Sequence, residues 1–146
     1  GNTDTDTFVF EDTAANNGTD TITNFEAAND ALDFTAFADA DAPVAAEEAD
    51  DATNEVAFGD GDVLLIDDST TPTIAAAGDV DMVFGTGNAY ESIEAGEGVV
   101  VVVRGSTDTA LYYVQSSDGT VDDADVDLVG TLSSFTTALD GDNIVN

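Results

Sequence analysis

The chain carries 32 acidic residues against a single base, Arg104, for a formal net charge of −31, and it has no histidine. No other feature restricts its folding as severely. A compact state of such a chain repels itself. Bound cations relieve that repulsion, and so does a screening ionic medium. Both remedies belong to a calcium-containing or salty exterior. Nucleic acid is excluded as a partner, because displacing its counterions takes lysine and arginine. Anionic membrane headgroups are excluded on the same ground. Folding is still open to the chain, since 42% of its residues are hydrophobic. Its 146 residues suit one domain, of a size that buries roughly two-thirds of its unfolded surface.

Cysteine is absent, so neither disulfides nor thiol chemistry are available. A small exported domain without disulfides needs another staple, and metal is the obvious one. The longest apolar run, residues 99–103, is far too short to span a membrane. No N-terminal signal peptide is visible, and position 1 is not methionine, so the sequence reads as a processed product or a fragment. Catalysis has little to build on. Without His, Cys or Lys there is no imidazole–nucleophile pair, no zinc site of the usual kind and no amine nucleophile. A carboxylate pair is able in principle to hydrolyse glycosides, but in a chain this acidic such a pair is uninformative, and no tryptophan is present to stack a sugar. The expectation is a protein that is not an enzyme.

Turn signals recur every 8–12 residues or so, the signature of an all-β sandwich, roll or barrel. Phe8 and its neighbours Thr7, Val9 and Phe10 have strong β character. Residues 19–25 alternate around Ile22 as a second strand, and residues 31–37 read as a short extended piece. Five consecutive valines, 99–103, predict a strand buried on both faces. A turn at 105–109 and a return at 110–115 make it a hairpin, and 125–132 reads as a further strand. Residues 73–77 and 81–84 read as weaker strands, and Ile144 and Val145 as an apolar tail. Residues 38–54 form an acidic insertion. Within it Asp41 is a candidate cap with Pro43 in the first turn, so 44–51 reads as one short helix, or as an acidic loop. The expected fold is an all-β, β-roll-like or sandwich domain with short turns and at most one or two short helices. It divides into a calcium-type segment at 1–37, the insertion at 38–54 and a hairpin region at 55–146.

Residues 1–34 hold the motif with the most chemistry. A β-helix calcium repeat has the form G-G-x-G-x-D-x-U-x, with U large and apolar. Gly1, Asp6 and Phe8 match it, while Asn2 and Asp4 stand for the second and third glycines. A weaker echo runs Gly18-Thr-Asp20-Thr-Ile22. Glycine allows the φ > 0 turn, the turn aims carbonyls inward, and Asp adds a hard oxygen ligand of the kind calcium collects six to eight of. The segments GNTDTDTFVF, GTDTITNF and NDALDF resemble, in that order, the last repeats of RTX (hemolysin-type calcium-binding) proteins and the segment after them. Residues 110–114, the Ser117-Asp118-Gly119 turn, 127–132 and 142–145 resemble the β-rich end of the same proteins. The resemblance covers about the first 35 and last 40 residues.

That resemblance implies calcium ligands at Asp6 and Asp20, with Asp4 beside the first, and at Asp30 and Asp33 of the N-D-x-x-D element. Asn24 stands where the family usually has aspartate. Since an ion in a β-roll is shared between successive turns, a lone repeat needs a partner turn. Asp118, Asp122, Asp123 and Asp125 follow the hairpin densely enough to want a counterion. The pairs Asp60/Asp62 and Asp67/Asp68 read as solvated turns. The family implies type I secretion through an uncleaved C-terminal signal, hence a secreted or cell-surface protein. Calcium is the expected cofactor. The functional expectation is a structural protein that self-associates into a surface layer or filament. The alternative is the secretion and folding module of a larger toxin, protease or adhesin; a halophile's acidic domain without specific metal is a third reading.

Overall fold

The computed structural model describes residues 4–38, 44–48, 56–68, 77–85 and 88–145. The fold is all-β, as the turn spacing predicts, and is built from two sheets. The first coil is made by β1 (Thr7–Val9), a single helical turn α1 (Ala14–Asn17), β2 (Asp20–Thr23) and β3 (Ala31–Asp33). Thr13 caps α1 by accepting from the Asn16 N–H, and Gly18 ends it at φ 71° with its N–H on the Ala14 carbonyl. An L side chain rarely adopts that conformation. The chain thereby leaves one sheet, enters the other and returns, so β1 and β3 pair in parallel with Phe8 opposite Leu32.

A parallel neighbour extends each sheet from far along the chain. The two-residue strand β9 (Ile144–Val145) lies parallel to the other side of β3, giving a three-stranded sheet β1-β3-β9. The strand β8 (Val126–Ser133) lies parallel to β2. It opens a six-stranded sheet in the order β2-β8-β7-β6-β5-β4, where β4 is Val44–Glu48, β5 Val63–Asp67, β6 Gly98–Arg104 and β7 Thr109–Gln115. The expected hairpin is there: β6 and β7 are antiparallel over seven register pairs, from Gly98↔Gln115 to Arg104↔Thr109.

The valine run of β6 is buried on both faces because the large sheet has a core on each side. Val100 and Val102 face the small sheet, with Phe10, Ile22, Phe25, Leu32, Phe34, Leu111 and Ile144. Val99, Val101 and Val103 face the opposite way, against Val80, Val83, Phe84, Tyr90 and Ile93. Phe10 stacks on Phe34 with ring centroids 4.7 Å apart, and Phe25 meets Phe135 edge-on at 5.1 Å. Gly130 makes room for this packing. A Cβ there would lie 3.1 Å from Leu111 Cδ1 and 3.2 Å from Phe10 Cε1.

Two local expectations are corrected. Residues 44–48, read as helix or loop, form strand β4, parallel to β5 with Val44 opposite Leu64. The open edge of β5 offers a ladder of hydrogen bonds, and this outweighs the weak preference of Ala and Glu for helix. Residues 81–83, read as strand, belong to a 3-10 helix, Ala77–Val83, that lids the outer core with Val80 and Val83. A second 3-10 helix, Asp123–Asp125, leads into β8. Residues 39–43, 49–55 and 69–76 of the expected insertion and turns lie outside the described residues.

Candidate functional site

The strands β1 and β2 are each the last strand of their sheet. The two edges flank a groove of about 420 Å³ lined by Phe8, Val9, Phe10, Asp20, Thr21, Ile22 and Thr23. Phe10 and Ile22 form its buried floor, whereas Val9 is 66% exposed. Among the described residues no strand lies beyond β1 or β2, and sheet edges are where a further strand adds. Acids surround it: Glu11, Asp12 and Asp20 are exposed. Arg104, the one base of the chain, is committed elsewhere, paired with Asp67 across β6 and β5.

The nine aspartates expected as ligands fall into two groups along the chain. Asp4 and Asp6 precede β1, and Asp20 opens β2, so each repeat places its aspartate where the chain enters a strand. Asp4 and Asp20 are exposed and Asp6 is partly buried. Asp30 is different. It is 1% exposed, its Oδ1 accepts from the Asp6 N–H at 3.1 Å, and its Oδ2 accepts from the Glu26 N–H at 2.9 Å. It therefore clasps the start of β1 to the loop before β3. Asp33 accepts from both the Thr35 N–H and hydroxyl through Oδ1. Asn24 occupies the left-handed region at φ 56°, which Asn tolerates better than most residues.

The second group shapes turns. Asp118 Oδ1 accepts from the Thr120 N–H, and Asp122 Oδ1 from the Ala124 N–H. Asp125 Oδ2 returns a bond by accepting from the Asp122 N–H, which completes a capping box. Asp123 stands exposed in that 3-10 turn. Asp60 and Asp62 also serve the backbone, accepting from the Gly98 and Gly59 N–H groups. Asp67 and Asp68, read as a solvated turn, are not one: Asp67 ends β5 and pairs with Arg104, while Asp68 is buried with its N–H on the Arg104 carbonyl. Among the described residues no three carboxylates converge as a metal cage. Asp4 and Asp6 stand before β1 and Asp20 at the start of β2, on the two strands that flank the groove. Bound through one oxygen each, they would supply about three of the six to eight oxygens that calcium takes.

Two features had no signal in the sequence. Asn143 is 3% exposed and donates from Nδ2 to the carbonyls of Ala27, at 2.7 Å, and Asp30, at 3.2 Å. Tyr113 reaches from β7 to donate its hydroxyl to the Glu11 carbonyl at 2.6 Å, and its ring stacks on Phe37 at 4.2 Å. Burial pushes the Tyr113 phenol above its ordinary pKa, and the charges of Asp12 and Glu11 push it further. Burial raises Tyr112 likewise, with Asp79 and Asp68 adding to it. These tyrosines fill faces of one strand, as alternation along β7 requires.

No helix among the described residues is long and apolar enough to cross a membrane. Compared with protein-family models, with curated proteins and with solved structures, the chain matches none of them. The class that the structure defines is an all-β, two-sheet protein with one open coil.

Proposed function

We propose that this is an extracellular, calcium-binding structural protein that self-assembles into a surface layer or filament. The observation that carries the reading is the open coil: among the described residues, β1 and β2 are the last strands of their sheets and flank an apolar floor, in a chain of net charge −31. Exposed edges of this kind are templates for pairing, while the charge opposes contact between copies until cations intervene. Asp4, Asp6 and Asp20 would then contribute to ions whose remaining oxygens come from a neighbouring copy. Bound calcium would supply positive charge that draws carboxylate oxygens of two copies together; the chain supplies those oxygens, the strands and the apolar floor.

Negative-stain microscopy and sedimentation, each with calcium and with excess chelator, test this. Ordered sheets or fibres that form only with calcium are expected. Monodisperse monomers under both conditions would sink the reading. A second reading, the secretion and folding module of a larger secreted protein, is favoured by the in-register parallel pairing of β1 and β3. A further coil of the same kind placed on β1 and β2 would continue both sheets.

A further inference from the structure

The side of β3 away from β1 is closed by residues 139–145, held through the strand β9 and a few buried side chains. Residues 139–145 reach it from β8 by way of Thr136, Thr137 and Ala138, all exposed. Three side chains anchor the segment: Leu139 at 8% exposure, Asn143 at 3% and Ile144 at 6%. Its main chain takes the Leu32 N–H on the Asn143 carbonyl at 2.8 Å and the Phe34 N–H on the Val145 carbonyl at 2.7 Å. Asn143 adds its two bonds to the Ala27 and Asp30 carbonyls. Between these anchors Asp140, Gly141 and Asp142 are exposed. The segment is thus a short peptide added to a sheet edge, with two buried apolar side chains and one buried amide giving register. Strand addition from a separate chain uses the same contacts.

We propose that the slot on β3 is an interaction surface for the same strap from a second copy, so that copies link by exchanging residues 139–145. The fit is shown by the strap's own seating within the chain: every contact made in one molecule is available, unchanged, from its neighbour. Exposed residues 136–138 form the hinge, and exchange of an identical element is a low-cost route to association. The exchange rests on the self-assembly reading, and mutual repulsion of the acidic chains makes it depend on cations. It names a contact that the open coil does not use.

The chain's lack of cysteine permits a clean test. Asp33 and Val145 are register partners on adjacent strands, a spacing of about 4.8 Å that lies within reach of a disulfide. The paired variant Asp33→Cys with Val145→Cys is oxidised either dilute or concentrated with calcium. Dilute oxidation is expected to lock the strap within its own chain, and the locked monomers should fail to assemble when concentrated. Concentrated oxidation is expected to give disulfide-linked dimers or longer ladders on a non-reducing gel. If locked monomers assemble as well as the reduced form, exchange is wrong and the assembly reading stands. If the unmodified protein never assembles, both fall. A fluorescent peptide of residues 138–145, titrated into the unmodified protein, gives a readout free of the cysteine pair. It should bind saturably, and its Asn143→Ala version roughly tenfold more weakly, the cost of a lost buried hydrogen bond. Equal binding by the two peptides would overturn the proposal.

Discussion

Removing the Asp30 carboxylate strips the acceptor from two backbone N–H groups at once, those of Asp6 and Glu26. Since Asp30 is buried, Asp30→Ala is expected to cost about 2–4 kcal/mol in urea unfolding, two unmade bonds' worth. A cost near zero would mean that water replaces the carboxylate. Tyr113 carries the clearest pH dependence. Its folded pKa lies above the ordinary 10.0, first through burial. Between those values the unfolded phenol has lost its proton and the folded one has kept it. The unfolded state then binds fewer protons, and stability falls as pH rises. The contribution is intact below about pH 10 and is lost above it. Tyr113→Phe should flatten the alkaline decline in a series of urea midpoints, while costing about 1 kcal/mol at neutral pH for the bond to the Glu11 carbonyl.

Among the elements, β8 passes beneath Phe10 only because position 130 has no side chain. Gly130→Ala places a methyl against Leu111 and Phe10 and is expected to cost about 1–3 kcal/mol by overpacking. Thermal unfolding reads this directly, and an unchanged midpoint would show that Phe10 relaxes freely. The same stretch shows which elements were legible in the sequence. Five valines, a glycine turn and a returning Leu-Tyr-Tyr-Val announce β6 and β7, because a hairpin's partner is its neighbour. The strands β1, β2 and β3 were readable from Phe8, Ile22 and Leu32 at period two. Pairing in parallel was not readable, because β2 finds β8, and β3 finds β9, across most of the chain. Nor was β4, where Ala and Glu read as helix until the edge of β5 recruits them. The aspartates were legible as turn-formers and candidate ligands alike. Only the structure separates Asp30, which is buried under two N–H groups, from Asp4 and Asp20 at the surface. Asn143 sits in an Asp-Gly-Asp-Asn run that looks like any solvated turn; its burial comes from the loop it meets.

At the scale of the molecule, charge governs. Calcium at a hundred times its dissociation constant would add about 2.7 kcal/mol to stability if it binds only the folded state. Melts with calcium, compared with melts in monovalent salt of equal ionic strength, separate binding from screening. Identical midpoints would leave screening as the whole effect. One geometric fact bears on how the molecule comes to exist at all. Asn143 donates to the carbonyl of a residue 113 positions earlier, and the pairing of β2 with β8 spans a similar distance. Contacts so remote in sequence impose a large loop-closure entropy before they return any energy, and such topologies fold in milliseconds to seconds rather than microseconds. Within the first coil only β1 and β3 pair with each other; β2 and β3 gain their β8 and β9 partners from about 110 residues further along the chain. Refolding from urea is therefore expected to be limited by the closing of these two remote pairings.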